Sequence, residues 1–217
     1  MLRGAIFDFD GVIVDSHPVH KRAWKKFLES VGRTASEEEL QFVLDGRKRE
    51  EILRHFLGDL DPELMFEYGH RKEQFFRNEA SDVLMIEGLL SFLEDLADSH
   101  VALAVASSGS ESRINSLLDR LDLKKHFRVV VTGDEVECGK PDPAIFLKAA
   151  QGLQLDPLEL IAFEDAQSGV KAARSAGMMC IGIAQPDGAS ALLDAGANFV
   201  VQDFRSLSRS VLQKMLA

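Results

Sequence analysis

The sequence predicts an α/β fold: a parallel sheet covered by helices on both faces, with an all-helical insert after its first strand. Three observations carry that prediction. From residue 82 onward, short apolar runs alternate with helical patterns, the signature of βαβ units and a parallel sheet buried on both faces. One further strand-like run opens the chain. Between them, residues 16–81 keep a period of 3.6 and hold no run that reads as a strand.

The elements follow in order. Leu2-Arg3-Gly4-Ala5-Ile6-Phe7 is an apolar run of strand length that gives way to Asp8-Phe9-Asp10-Gly11, the glycine marking its end. Ala23, Trp24, Phe27, Leu28 and Val31 then mark one helical face, and Gly32 is its C-terminal stop. Ser36 with Glu39 is a capping box that predicts a second helix, and Asp61-Pro62 opens another with proline at its first position. Val101–Ala106, Val129–Thr132, Leu160–Phe163, Met179–Ile183 and Phe199–Val201 are the later strands. Helical patterns such as Ile114, Leu117, Leu118 and Leu121 separate them.

A chain of 217 residues suits one domain, or one domain carrying a small insert. Hydrophobic residues at 46% and charged residues at 28% are globular composition, not disordered or fibrous. Apolar stretches such as Val101–Ala106 fall far short of the roughly 20 residues that span a bilayer. The N-terminus runs straight into the first strand with no apolar leader, and Cys138 and Cys180 give neither a disulfide framework nor metal-ligand spacing. A soluble, cytoplasmic protein is expected, and a monomer rather than an obligate oligomer. The net charge of −10 disfavours nucleic acid and anionic membranes as partners. That charge is unevenly placed: residues 16–81 hold 12 basic and 13 acidic side chains, the rest of the chain 13 and 22. The acidity belongs to the α/β core.

In an open parallel sheet, ligands bind beyond the C-terminal ends of the strands. Asp8 and Asp10 lie at the first such end, Ser107-Ser108-Gly109-Ser110 at the Val101–Ala106 end, Gly139-Lys140-Pro141 after Val129–Thr132, and Glu164-Asp165 after Leu160–Phe163. Singly each is unspecific: Asp-x-Asp-Gly is also a turn, paired serines a plain N-cap, Glu-Asp a helix start favoured by the dipole. Together they place four carboxylates, a hydroxyl loop and one lysine at the ends of strands in one sheet. Hard oxygen ligands beside an anion-binding loop suit a divalent cation and a phosphorylated substrate.

Roles follow from that chemistry. Asp8 is the candidate nucleophile toward phosphorus, and Asp10 the acid that protonates a leaving oxygen and then deprotonates the incoming one. Asp8, Asp10, Glu164 and Asp165 form the candidate Mg²⁺ set. Ser107, Ser108 and the amides beside them are placed to bind phosphoryl oxygens at a helix N-terminus, with Lys140 as a point charge. The stretch from Gly133 to Lys140 is not a nucleotide P-loop: it has five intervening residues where four are required, and Pro141 stands where Ser or Thr is needed.

Asp8-Phe9-Asp10-Gly11-Val12, the Ser107 loop, Lys140-Pro141 and Glu164-Asp165 resemble the four motifs of the haloacid dehalogenase superfamily. The resemblance covers essentially the whole chain. It implies a Rossmann-like three-layer core (residues 1–15 and 82–217), an α-helical cap (residues 16–81), and Mg²⁺-dependent phosphoryl transfer through an aspartyl phosphate. The second aspartate, Asp10, points to phosphatases and phosphomutases. Asp15-Ser16-His17-Pro18-Val19-His20-Lys21-Arg22-Ala23-Trp24 resembles the cap entrance of the β-phosphoglucomutase-like branch, where residues matching His20 and Trp24 face the site. Gly46-Arg47-Lys48-Arg49-Glu50 resembles its cap loop, which implies that Arg49 grips a phosphate remote from the metal, and Lys72 falls at a second cap cation. There are two departures. The Ser107 loop lacks the Lys-Asn of the mutase and carries Glu111, which would oppose a second phosphate, and Glu87-Gly88 replaces the usual Pro-Gly.

The expectation is a Mg²⁺-dependent phosphohydrolase of a small phosphorylated metabolite, plausibly a sugar phosphate. Two other readings stand beside it: a β-phosphoglucomutase interconverting β-glucose 1-phosphate and glucose 6-phosphate, and a non-catalytic module that binds Mg²⁺ and phosphate.

Overall fold

The computed structural model describes residues 2–215. Its main sheet has six strands in the order β5-β4-β1-β6-β7-β8: Val129–Thr132 (β5), Ala102–Ser107 (β4), Gly4–Phe7 (β1), Leu160–Glu164 (β6), Met179–Ile183 (β7) and Phe199–Val201 (β8). Every pairing in it is parallel. The first strand in sequence is thus central, between β4 and β6, and the strand order reverses there.

Alternation along β1 assigns each side chain to a layer. Ala5 and Phe7 face one cluster, with Val105, Phe163, Phe92, Ile114, Leu117 and Leu212. That layer is built by Leu89–Asp98 (α4), Glu111–Arg120 (α5) and Arg209–Met215 (α9). Its centre is aromatic: Phe7 stacks on Phe163 at 4.7 Å, with Phe92 and Phe204 against them. Ile6 faces the other way, among Ala104, Ala162, Phe146, Ala149 and Val170. Ala144–Leu153 (α6), Gln167–Ser175 (α7) and Ala189–Asp194 (α8) form that layer. The expected three-layer core is present.

The helical insert is also present. Its helices are His17–Ser30 (α1), Arg49–Leu57 (α2) and Pro62–Asn78 (α3). Trp24, Phe27, Leu28, Leu40, Ile52, Leu53 and Phe56 gather in a cluster of their own, while Val19, Ala23 and Phe76 join the aromatic layer of the core. Asp61 caps α3 as the sequence predicts, accepting the Leu64 N–H at 2.9 Å. The Ser36–Glu39 box forms reciprocally, at 2.8 and 3.2 Å, but opens a 3₁₀ turn over Glu39–Leu44, not an α-helix. Only Leu40 and Val43 are buried in that turn, too little apolar face to carry a helix forward.

Where the chain leaves and re-enters the core, Val14–Asp15 (β2) and Leu84–Met85 (β3) pair antiparallel. Two-residue strands leave no periodicity to read. No helix among the described residues is long and apolar enough to cross a membrane.

Candidate active site

The parallel register brings the polar strand ends together. Phe7 lies level with Val105 of β4 and Phe163 of β6, so the residues just beyond them share one edge of the sheet. Asp8 follows β1, Ser107 ends β4 and Glu164 ends β6. All three are buried, as is Lys140, which has no exposed surface.

Lys140 reaches this edge from the loop after β5. Its Nζ donates to Asp8 Oδ1, to Glu164 Oε1 at 2.5 Å and to the Ala106 carbonyl at 3.2 Å. It holds two carboxylates in register, which is more than the point charge expected of it. Burial alone would lower the Lys140 pKa; Asp8 and Glu164 outweigh that and raise it. The other Glu164 oxygen accepts the backbone N–H groups of Asp165 and Ala166 at 3.0 and 3.1 Å.

Among the described residues, Asp8, Glu164 and Asp165 each offer an oxygen, all within 4.8 Å of one another. Burial pushes the Asp8 carboxyl up to about 7, against the pull of Lys140. It raises Glu164 and Asp165 as well. Three carboxylates short of countercharge, with oxygen donors only, fit a hard divalent cation. Gly11 makes room for the third: its φ is +82°, and a Cβ there would stand 2.1 Å from Asp165 Oδ2.

Asp10 corrects the expected ligand set, because its carboxylate is not part of this trio. Its oxygens are taken on the other side. Oδ1 accepts from Ser16 Oγ at 2.6 Å, Arg113 Nη1 at 2.7 Å and His20 Nε2 at 3.2 Å; Oδ2 accepts from Arg113 Nη2 at 2.7 Å. Burial acts to raise the Asp10 pKa, but Arg113 and His20 outweigh it and hold the group well below the carboxylate range.

The insert supplies the facing wall. His20 bridges Asp10 to Lys72, whose Nζ is 3.1 Å from His20 Nδ1. Burial, with Lys72 beside it, pushes the His20 pKa down to about 3, so the ring is neutral. Those two partners imply a proton on Nε2, with Nδ1 accepting from Lys72. Lys72, lowered to about 8 chiefly by burial, lies over the rings of Trp24 and Phe76 at 5.3 and 5.2 Å. Trp24 both packs in the cluster of the insert and lines the cavity. Arg49 donates to Glu50 at 2.8 Å, while its buried Nε has no partner. Gly46 seats the wall on the core: its carbonyl accepts from Ser108 Oγ at 2.6 Å. Ser108 is thereby a latch between layers as much as an anion ligand. Ser107 Oγ accepts the Gly109 N–H at 3.1 Å. Every residue singled out from the sequence except Glu164 and Lys140 lines this one cavity, and those two brace it from beneath.

The haloacid dehalogenase-like hydrolase family model matches residues 5–183. The chain belongs to that family. It is 35% identical to a phosphorylated carbohydrates phosphatase of Thermotoga maritima, over 99% of this chain and all of the relative. It is 31% identical to a β-phosphoglucomutase of Bacillus subtilis, over 98% of this chain and 95% of the relative. The solved β-phosphoglucomutase of Clostridium difficile superposes with a TM-score of 0.89 at 27% identity, covering 99% of this chain and 97% of that one. This haloacid dehalogenase-like protein is therefore an enzyme of the phosphatase or phosphomutase kind, on the β-phosphoglucomutase-like branch.

The family motifs do not mark three residues that the cavity brings in. Arg113 grips Asp10, His17 Nε2 pairs with Asp165 at 3.0 Å, and Glu73 presents a buried Oε1 without a hydrogen bond. The His17 pKa, which burial would lower, is raised to about 9 by Asp165. A lone arginine in the first turn of a helix reads as surface charge; Arg113 differs because its partner lies 103 residues away. Glu111 departs from expectation in the opposite sense. It is exposed and does not line the cavity, so the acid on that wall is Glu73.

Proposed function

We propose that this enzyme is a Mg²⁺-dependent phosphohydrolase of a small phosphorylated carbohydrate, acting through an aspartyl phosphate on Asp8. The observation that carries the reading is the Lys140-braced trio of Asp8, Glu164 and Asp165, with Asp10 two residues from the nucleophile and held apart from it. Asp8, Glu164 and Asp165 would hold Mg²⁺, which supplies charge to offset repulsion between carboxylate and phosphate when bound. Lys140 fixes the attacking carboxylate, and Ser107 with the amides that follow it binds phosphoryl oxygens. Asp8 bonds to phosphorus as the leaving oxygen departs, and Asp10 gives that oxygen its proton. Water then attacks phosphorus, Asp10 takes a proton back, and the bond to Asp8 breaks.

The segment 16–81 serves in this reading as a cap that excludes bulk water and reads the leaving group. All side chains in the cavity come from one chain, which supports a monomer, and two free thiols, one exposed, suit the reducing cytoplasm.

The mutase is the second reading, and the Bacillus subtilis relative together with the unpartnered Arg49 Nε favours keeping it. Hydrolysis is preferred because Arg49 is already paired with Glu50, and the unpartnered Glu73 carboxylate oxygen faces the place a second phosphate would occupy. A glycosyl hydroxyl suits that acceptor better than a phosphate does.

A phosphate-release screen over sugar phosphates, with Mg²⁺ and with EDTA, tests the proposal. Release that persists in EDTA or in Asp8→Asn overturns the mechanism. β-Glucose 1-phosphate supplied with catalytic bisphosphate tests the alternative: glucose 6-phosphate formed faster than phosphate makes the mutase reading win. Silence in both assays favours a regulatory module.

A further inference from the structure

Arg113 belongs to no catalytic motif, yet no other side chain contacts Asp10 so extensively. It lies in the first turn of α5, and its side chain is 5% exposed. Both terminal nitrogens donate to Asp10, one to each carboxylate oxygen, each at 2.7 Å. Such a fork fixes the plane of a carboxylate as well as its place, which a point charge cannot do. The approach is built for it: a Cβ on Gly109 would stand 2.1 Å from Arg113 Nη2. The insert closes the other side. The guanidinium carbon lies 5.0 Å from the centre of the Phe76 ring, and Nε is 3.9 Å from Glu73 Oε1, both on α3.

The two Asp10 oxygens are used unequally. Oδ1 accepts from Ser16, His20 and Arg113, more donors than it has lone pairs. Oδ2 accepts from Arg113 alone. A lone pair is left on Oδ2 and none on Oδ1.

We propose that Arg113 is the positioning residue of the acid/base carboxylate: its fork turns Asp10 so that Oδ2 carries the transferred proton, and Glu73 and Phe76 set the fork, so seating the insert aims the acid. This rests on the aspartyl-phosphate reading. The proton on Oδ2 passes to the leaving oxygen as that oxygen parts from phosphorus and Asp8 bonds to it. In the second step water returns a proton to Oδ2 as its oxygen replaces Asp8 on phosphorus.

The test exploits the leaving group. A sugar alkoxide needs protonation to depart, whereas p-nitrophenolate hardly does, so a misplaced acid penalises the first substrate only. We would measure kcat and KM in Mg²⁺ for a sugar phosphate taken by the enzyme and for p-nitrophenyl phosphate, in wild type, Arg113→Lys, Arg113→Met, Asp10→Asn and Asp10→Asn/Arg113→Met. Arg113→Lys keeps the buried charge without the fork, so the result survives if Arg113→Met does not fold. The expected result is a loss in kcat of about 10-fold or more on the sugar phosphate in Arg113→Lys, with a smaller loss on the aryl phosphate and KM nearly unchanged. Asp10→Asn gives the same split, and adding Arg113→Met to it changes the ratio no further. Equal losses on both substrates, or losses that multiply in the double variant, overturn the proposal and leave Arg113 a structural tie. Aryl hydrolysis that survives Asp8→Asn overturns the aspartyl-phosphate reading instead, which separates the two failures.

Discussion

Asp8 is held at a cost that a cation removes. Its carboxyl is pushed up to about 7 by burial, so the metal-free folded state keeps a proton there that the unfolded chain releases near 4. A folded state that binds more protons loses stability as pH rises, so this contribution falls between about pH 4 and 7. In EDTA, Asp8→Asn is expected to be more stable than wild type at pH 8, by a few kcal/mol, with the difference vanishing near pH 4. Urea unfolding across that range checks it, and Mg²⁺ should raise wild type but not the variant. The His17–Asp165 pair runs the other way in sign. The raised His17 pKa contributes stability that is complete below 6.5 and lost as pH rises through about 9, so His17→Gln should flatten the metal-free profile over that window. Lys140 is the most exposed to loss: Lys140→Met leaves two buried carboxylates without their cation, and should destabilise the metal-free protein by about 3–5 kcal/mol, read by denaturant midpoint.

At the scale of elements, capping and close approach decide what the strands can present. Asp61→Ala removes the N-cap of α3, the helix that carries Lys72, Glu73 and Phe76, and should cost about 1 kcal/mol in unfolding free energy. Gly11→Ala is different in kind. Its left-handed backbone adds about 1–2 kcal/mol of strain, and the new methyl displaces Asp165. Loss of Mg²⁺ affinity beyond the loss of stability is the expected signature, measured by calorimetric titration. The 3₁₀ turn over Glu39–Leu44 shows the limit of a cap: the Ser36–Glu39 box forms, but without a continuous apolar stripe behind it no α-helix follows.

At the scale of the whole molecule, the insert sits on the core through a few polar latches. Ser108 donates to the Gly46 carbonyl, Ser168 to the Asp45 carbonyl, and Lys48 to the Val136 carbonyl at 2.7 Å. Neutral contacts of this kind are worth about 1 kcal/mol each, weak enough to open for substrate. Ser108→Ala with Lys48→Met should speed amide exchange over residues 45–57 while leaving the exchange of β1 and β6 as it was. Unchanged exchange at 45–57 would mean that the apolar contacts of Val19, Ala23 and Phe76, not these latches, seat the insert.

Much of this architecture was legible in residue order. Apolar runs of strand length alternating with helices imply a parallel sheet, and polar groups at the ends of such runs imply one shared edge, because the sheet aligns those ends whatever its loops do. Asp8, Ser107, Lys140, Glu164 and Asp165 were therefore found by position alone. Direction of approach was not legible. Asp10 sits two residues from Asp8 and looks equally fit to bind a cation, yet Arg113, Ser16 and His20 turn its carboxylate away from the trio. Nor could Glu73 be told from Glu111, since exposure is a property of packed layers. A sequence states which chemistry each strand end carries; side-chain partners come from distant segments, so only the tertiary structure decides which carboxylates share a cation and which one is held back to move a proton.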